Sequence, residues 1–207
     1  MSNREWPHQI FVTGTDTGIG KTVVSAIFTE GLKASYWKPI QAGLEEETDS
    51  EFLKRVTGED CDILPERYRL QTPMSPHAAA AIDDVQISLD GLHLPAYKKE
   101  HLVVEGAGGL MVPINDDTMI IDLIEKLHIP VVLVARSELG TLNHTFLSLE
   151  ALRSRSIPIL GVVMNGPKNE SNYDAIKAYG EVDILAEIEH QEQLNANCLN
   201  RLFREQF

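Results

Sequence analysis

Five stretches of the chain are apolar at nearly every position: residues 10–13 (IFVT), 34–38 (ASYWK), 101–105 (HLVVE), 131–135 (VVLVA) and 159–165 (ILGVVMN). A strand with one wet face alternates apolar and polar residues, whereas continuous β-branched runs predict strands buried on both faces. Stretches with helical spacing separate them, such as KTVVSAIFTEGLK (21–33) and NHTFLSLEALRS (143–154). The alternation predicts an α/β fold whose mainly parallel β-sheet is flanked by helices. With 207 residues the chain suits one domain. Residues 190–207 read as a polar loop followed by a helix. Segment 57–99, with four prolines and no clear period, yields no assignment.

Ligands of parallel sheets sit at the carboxyl ends of the strands. Four motifs directly follow predicted strands: GTDTGIGKT, KPIQAG, EGAGG and NGP. The first ends like a phosphate-binding loop, G-x-x-x-x-G-K-[ST], but begins differently: that spacing asks for glycine at 15, where the chain has Thr15, with Gly14 one place earlier. Backbone N–H groups in such a turn, with the helix start behind them, can cradle phosphates while Lys21 adds a mobile charge and Thr22 a ligand for Mg²⁺. A plain strand-to-helix turn is the alternative; the succession strand, Gly-x-Gly-Lys-Thr, apolar helix favours nucleotide binding.

Lys38 ends a predicted strand and is either solvated surface or a second cation that stabilises charge developing in a transition state. Glu105 closes LVVE ahead of Gly106, Ala107 and Gly108, and a charge at the end of a buried strand needs a partner. Mg²⁺ shared with Thr22 and Asp49 is one solution. Asp49 could instead cap a helix beginning near Ser50. Asn165 is equally a purine contact or a turn residue of Asn-Gly. His77 and His144 lack metal-ligand spacing and read as structural.

Charge narrows the partners. With 31 acidic against 18 basic residues, net −13, and no basic run, nucleic acid is not expected. Cys61 and Cys198 show no redox or metal spacing, and no apolar run is long enough to span a bilayer. A cytoplasmic location without a membrane anchor is expected.

Taken in order, GTDTGIGKT, WKPIQAG, TPMSPHAAA, VVEGAGGLMVP and SELGTLNH closely resemble dethiobiotin synthetases from about residue 10 to about 188. The early glycine belongs to that family's G-T-D-T-x-x-G-K-T loop. The resemblance implies a P-loop NTPase fold of the nitrogenase iron protein and MinD-like type. It also implies ring closure of 7,8-diaminononanoate with CO2 or bicarbonate, driven by ATP with Mg²⁺, to give dethiobiotin in biotin synthesis. Residue by residue it implies Lys21, Lys38 and Thr17 as the reacting-end groups, and Thr22, Asp49 and Glu105 as metal ligands. The nucleotide cradle would be Gly18, Ile19, Gly20, Lys21, Thr22 and Val23 with Gly106, Ala107 and Gly108, and Asn165 and Gly166 would meet the adenine. Ala42 would lie on the substrate side, and Gly140, Thr141, Leu142 and Asn143 would hold the substrate carboxylate across a homodimer interface.

Two departures stand out. Ala42 takes the place of the family's usual Ser or Thr, removing a hydroxyl, and Glu189 to Gln191 replace its usual proline beside the adenine pocket. Two other functions fit a P-loop of this kind. A MinD- or ParA-like switch ATPase would carry a further lysine early in the loop, and GTDTGIG has none. A nucleotide-binding paralogue without turnover finds its support in Ala42.

Overall fold

In the computed structural model, which describes residues 4–58 and 60–207, the chain order is β1 (Gln9–Gly14), α1 (Lys21–Gly31), β2 (Ser35–Trp37), β3 (Ile40–Ala42), α2 (Asp49–Val56), β4 (Asp62–Leu64), β5 (Tyr68–Leu70) and α3 (Pro76–Ile82). After a 3-10 turn come β6 (Leu102–Gly109), α4 (Ile120–Leu127), β7 (Val131–Arg136), α5 (Thr141–Ser154), β8 (Ile159–Asn165), α6 (Glu170–Gly180), β9 (Ile184–Ile188) and α7 (Ala196–Gln206). Seven strands form one sheet in the order β4-β2-β6-β1-β7-β8-β9, and β3 pairs with β5 in a separate two-stranded sheet. Every pairing between these strands is parallel.

Both faces of the large sheet are apolar, as the continuous runs predicted. Ile10, Val12, Tyr36 and Val103 turn toward α1, α2 and α7, while Phe11, Trp37, Leu102 and Val104 turn toward α3, α4, α5 and α6. Strand alternation therefore puts Glu105, two residues beyond Val103, on the α1 face. Helix α1 leaves β1 on one face while α4, α5 and α6 cover the other, so a crevice opens at the carboxyl ends of β1 and its neighbours. An aromatic cluster pins α1 to the chain end: Trp6 and Phe207 lie 4.9 and 4.7 Å, centroid to centroid, from Phe28.

Several boundaries differ from the sequence reading. EGAGG is part of β6, which runs on to Gly109, and KPIQAG contains β3. Helix α1 stops at Gly31, just before Lys33 adopts a left-handed φ of 51°, and α5 starts at Thr141. Segment 57–99 holds β4, β5, α3 and the 3-10 turn. The C-terminal loop and helix appear as expected.

Candidate active site

The loop after β1 turns at Gly20, whose φ is +92°, and a Cβ there would collide with the Asn165 side chain. Only glycine makes this left-handed turn without displacing the Asn165 side chain. Helix α1 then begins with no side chain capping it and no acidic residue in its first turn. Its free N–H groups and the positive end of its dipole are left for an anion.

Four charged or polar groups converge beside that helix start. Thr22 Oγ1 lies 2.9 Å from both Asp49 Oδ1 and Glu105 Oε1. Lys38 donates to Asp49 Oδ2, to Glu105 Oε1 at 3.1 Å and to Gly106 O at 3.3 Å. Lys38 and Glu105 are 5% and 1% exposed, so the ammonium is neutralised inside the protein, not by solvent. Burial opposes the Lys38 charge, but Glu105 and Asp49 outweigh it and raise the lysine pKa above its ordinary value. Burial likewise works against the Asp49 carboxylate, yet Lys38 and Thr22 hold its pKa below the usual range. Lys38 is thus a fixed cation, not a proton acceptor.

Lys21 behaves differently. Its Nζ folds back 2.8 Å onto Asp16 O, and burial lowers its pKa to about 8, Glu105 pulling upward and Lys38 downward. Asp16 anchors the loop: Oδ1 accepts from Thr17 N at 2.7 Å and Oδ2 pairs with Arg136 at 2.5 Å. Two carboxylates and a hydroxyl form a hard oxygen set that fits a small divalent cation, leaving its other positions to phosphate and water. No trio of His, Cys, Asp or Glu suited to a metal occurs among the described residues, so a softer, all-protein cage is not on offer.

A cleft of about 490 Å³ joins these groups. Thr17, Gly18, Gly20, Lys21, Thr22, Lys38, Ala42, Asp49, Glu105, Ala107 and Gly108 line it, together with Met74, Ser75 and Pro76 of the TPMSPH motif. Ile19 is buried, Val23 packs toward the α1-side core, and Gly106 contributes its carbonyl to Lys38. Asn165 Nδ2 donates to Ile19 O at 2.9 Å, tying β8 to the phosphate loop, while Gly166 N bonds Ile188 O. Glu189 to Gln191 follow β9 beside them; Gln191 is held by Glu189 O and Arg201. Gly140 to Asn143 start α5 outside this cleft, and Thr141 is fully buried.

A family model described as an AAA domain matches residues 8–197. The chain is 51% identical over 200 residues to the ATP-dependent dethiobiotin synthetase BioD of Rhodopseudomonas palustris, covering 96% of this chain and 94% of the relative. The corresponding protein of Brucella ovis is 50% identical over the same shares. The chain belongs to the dethiobiotin synthetase family. Its fold is that of the ParA family ATPase from Chlorobium tepidum, with a TM-score of 0.59, 12% identity and 95% and 96% of the two chains covered. The cell division ATPase MinD of Pyrococcus furiosus gives 0.58, 15%, and 96% and 98%. At such identity these two speak for architecture alone.

This synthetase also contains groups that motif reading passed over. Gln41 Oε1 accepts from Asp49 N at 3.3 Å, and Tyr36 donates to Glu105 Oε2 at 3.0 Å. Strand alternation was the available signal for Tyr36, since it shares a face with Lys38 two residues on. Asp49 is not the cap of α2; Thr48 is, with Glu51 reciprocating. Among the described residues, no helix is long and apolar enough to cross a membrane.

Proposed function

We propose that this chain is an ATP-dependent dethiobiotin synthetase, a ligase of biotin biosynthesis that closes 7,8-diaminononanoate and CO2 into a cyclic urea. The observation that carries the reading is Lys38, clasped by Asp49 and Glu105 beside an open phosphate loop, in a chain half identical over nearly its whole length to such synthetases. One substrate amine adds to CO2 and loses a proton, giving a carbamate. A carbamate oxygen takes the γ-phosphoryl group of ATP, releasing ADP. The second amine attacks the resulting carbamic–phosphoric anhydride at carbon and expels phosphate.

Lys38, held cationic, opposes the charge that builds on the carbamate and the migrating phosphoryl group. Lys21 leaves Asp16 O for the phosphates, and Thr17 serves the reacting end. Thr22, Asp49 and Glu105 would hold Mg²⁺, which supplies charge neutralisation to the phosphate oxygens. Gly18 to Val23 and Gly106 to Gly108 would cradle the nucleotide, with Asn165 and Gly166 toward its base. The start of α5, uncapped like that of α1, would take the substrate carboxylate in the site of a second copy. The exposed Leu139, directly ahead of that helix start, and Leu147 on the same helix support such a homodimer. Two free cysteines suit a cytoplasmic setting.

The test is ADP release with and without diaminononanoate plus bicarbonate. Release that depends on both substrates is expected, and release indifferent to them would point to a switch ATPase. Lys38→Ala should lower turnover on the order of 10²–10³-fold while nucleotide still binds. Near-normal turnover would remove Lys38 from the chemistry.

A further inference from the structure

Glu105 has two carboxylate oxygens, and the structure gives them different partners. Oε1 meets Thr22 at 2.9 Å and Lys38 at 3.1 Å, whereas Oε2 accepts the 3.0 Å hydrogen bond of the Tyr36 hydroxyl. Tyr36 lies at the middle of β2, fully buried, in register with Val103 of β6 and Ile63 of β4. Strands on both sides fix its backbone, so the hydroxyl is a rigid donor. Both oxygens thus have partners, but a cation seated beside Thr22 can take over the Thr22 contact at Oε1, whereas Oε2 stays bonded to Tyr36.

We propose that Tyr36 is a positioning residue that sets the metal preference of the site by restricting Glu105 to a single oxygen. Mg²⁺ is small, octahedral and served by one or two carboxylate oxygens, whereas Ca²⁺ takes six to eight ligands and often a bidentate carboxylate. Holding Oε2 away denies the second mode. The inference rests on Glu105 belonging to the metal site of the proposed function, and the experiment separates the two.

Calorimetric titration of Mg²⁺ and of Ca²⁺ into the full chain saturated with ADP is compared for wild type, Tyr36→Phe and Glu105→Gln. Tyr36→Phe frees Oε2 and shifts the ratio of the two dissociation constants about tenfold toward Ca²⁺, the low end of what partners of metal ligands contribute. ADP affinity without metal stays unchanged, which a merely unfolded or loosened variant would not reproduce. Glu105→Gln weakens both metals. If it does so while Tyr36→Phe leaves the ratio intact, the role of Tyr36 falls and the metal site stands; if Glu105→Gln changes neither metal, both fall. Should Tyr36→Phe fail to fold, 3-fluorotyrosine at position 36 keeps the volume and donates more strongly. It shifts the ratio toward Mg²⁺, and an unchanged ratio overturns the proposal.

Discussion

Five helices of this protein begin in two different ways. In α2, α6 and α7 a side chain closes the start: Thr48 accepts from Glu51 N, Asn169 from Asn172 N and Asn195 from Cys198 N. Helices α1 and α5 begin at Gly20 and Gly140, at φ of 92° and 94°, with no capping side chain and no acid in the first turn. Relative to Ser, Thr or Asn, glycine forgoes only a few tenths of a kcal/mol as a cap. In exchange the N–H groups stay uncommitted and the dipole end stays positive. Capped starts hold the architecture together, while the two glycine-led starts are the ones that the proposed function assigns to its two anions, the ATP phosphates and the substrate carboxylate.

Breaking the first open start should have the largest effect on binding. Gly20→Ala adds a Cβ at positive φ that strikes Asn165, a strain of about 1–3 kcal/mol. ATP affinity should fall about 10–100-fold by competition with a fluorescent nucleotide. Wild-type affinity would mean that the left-handed turn is dispensable. The same helix start predicts a pH dependence. Burial puts the Lys21 pKa at about 8, so the free enzyme carries this charge below that pH and loses it above. Phosphate binding favours the charged form and raises the pKa, so ATP affinity should decline as pH rises through 8. Lys21→Gln should flatten that decline, and a slope that survives the substitution would belong to another group.

The second open start is broken without a collision. Nothing lies within 4 Å of a Cβ placed on Gly140, so Gly140→Glu adds charge more than bulk. Loss of a favourable dipole contact plus repulsion of a carboxylate should raise the diamine KM about tenfold, with ATP affinity unchanged. An unchanged KM would detach α5 from substrate. Gly140→Gln, sharing the backbone strain but not the charge, should sit between. Well below the raised KM, mixing Gly140→Glu with Lys38→Ala should restore about one quarter of wild-type activity, because about half the dimers are mixed and each keeps one intact site. Exchanged mixtures no more active than the Gly140→Glu chains alone account for would argue for sites complete within one chain.

Much of this difference is written in residue types. Gly-x-Gly-Lys-Thr after an apolar strand announces an open helix start, and Lys38 and Glu105 are charges at the ends of buried runs, which need partners wherever they fold. Tyr36 was hidden because its role depends on which strands become neighbours, and β6 enters beside β2 only after some sixty intervening residues; Gln41 depends on how the loop after β3 folds back to place Asp49 N beside it. Strands β4 and β5 were hidden for another reason. Three residues each, one at a sheet edge and one in a separate pair, they are too short to display a period. The Thr48 cap was readable as T-x-x-E, but the acidic surroundings drew attention to Asp49 instead.

The smallest effects should come from the closed starts, and they sharpen the comparison because two caps of like strength sit at different distances from the chemistry. Thr48→Ala and Asn195→Ala should each cost about 1 kcal/mol in denaturant unfolding. Asn195 begins a helix whose buried residues, Leu199 and Leu202, meet only the α1-side core, so its loss should leave every kinetic constant alone. Thr48 directly precedes Asp49, whose carboxylate pairs with Lys38 and meets Thr22. Fraying this first turn should therefore raise the Mg²⁺ requirement a few-fold on top of the same stability loss. Equal magnesium titrations for the two variants would show that Asp49 is placed by Lys38 and Gln41 and not by the cap of its helix.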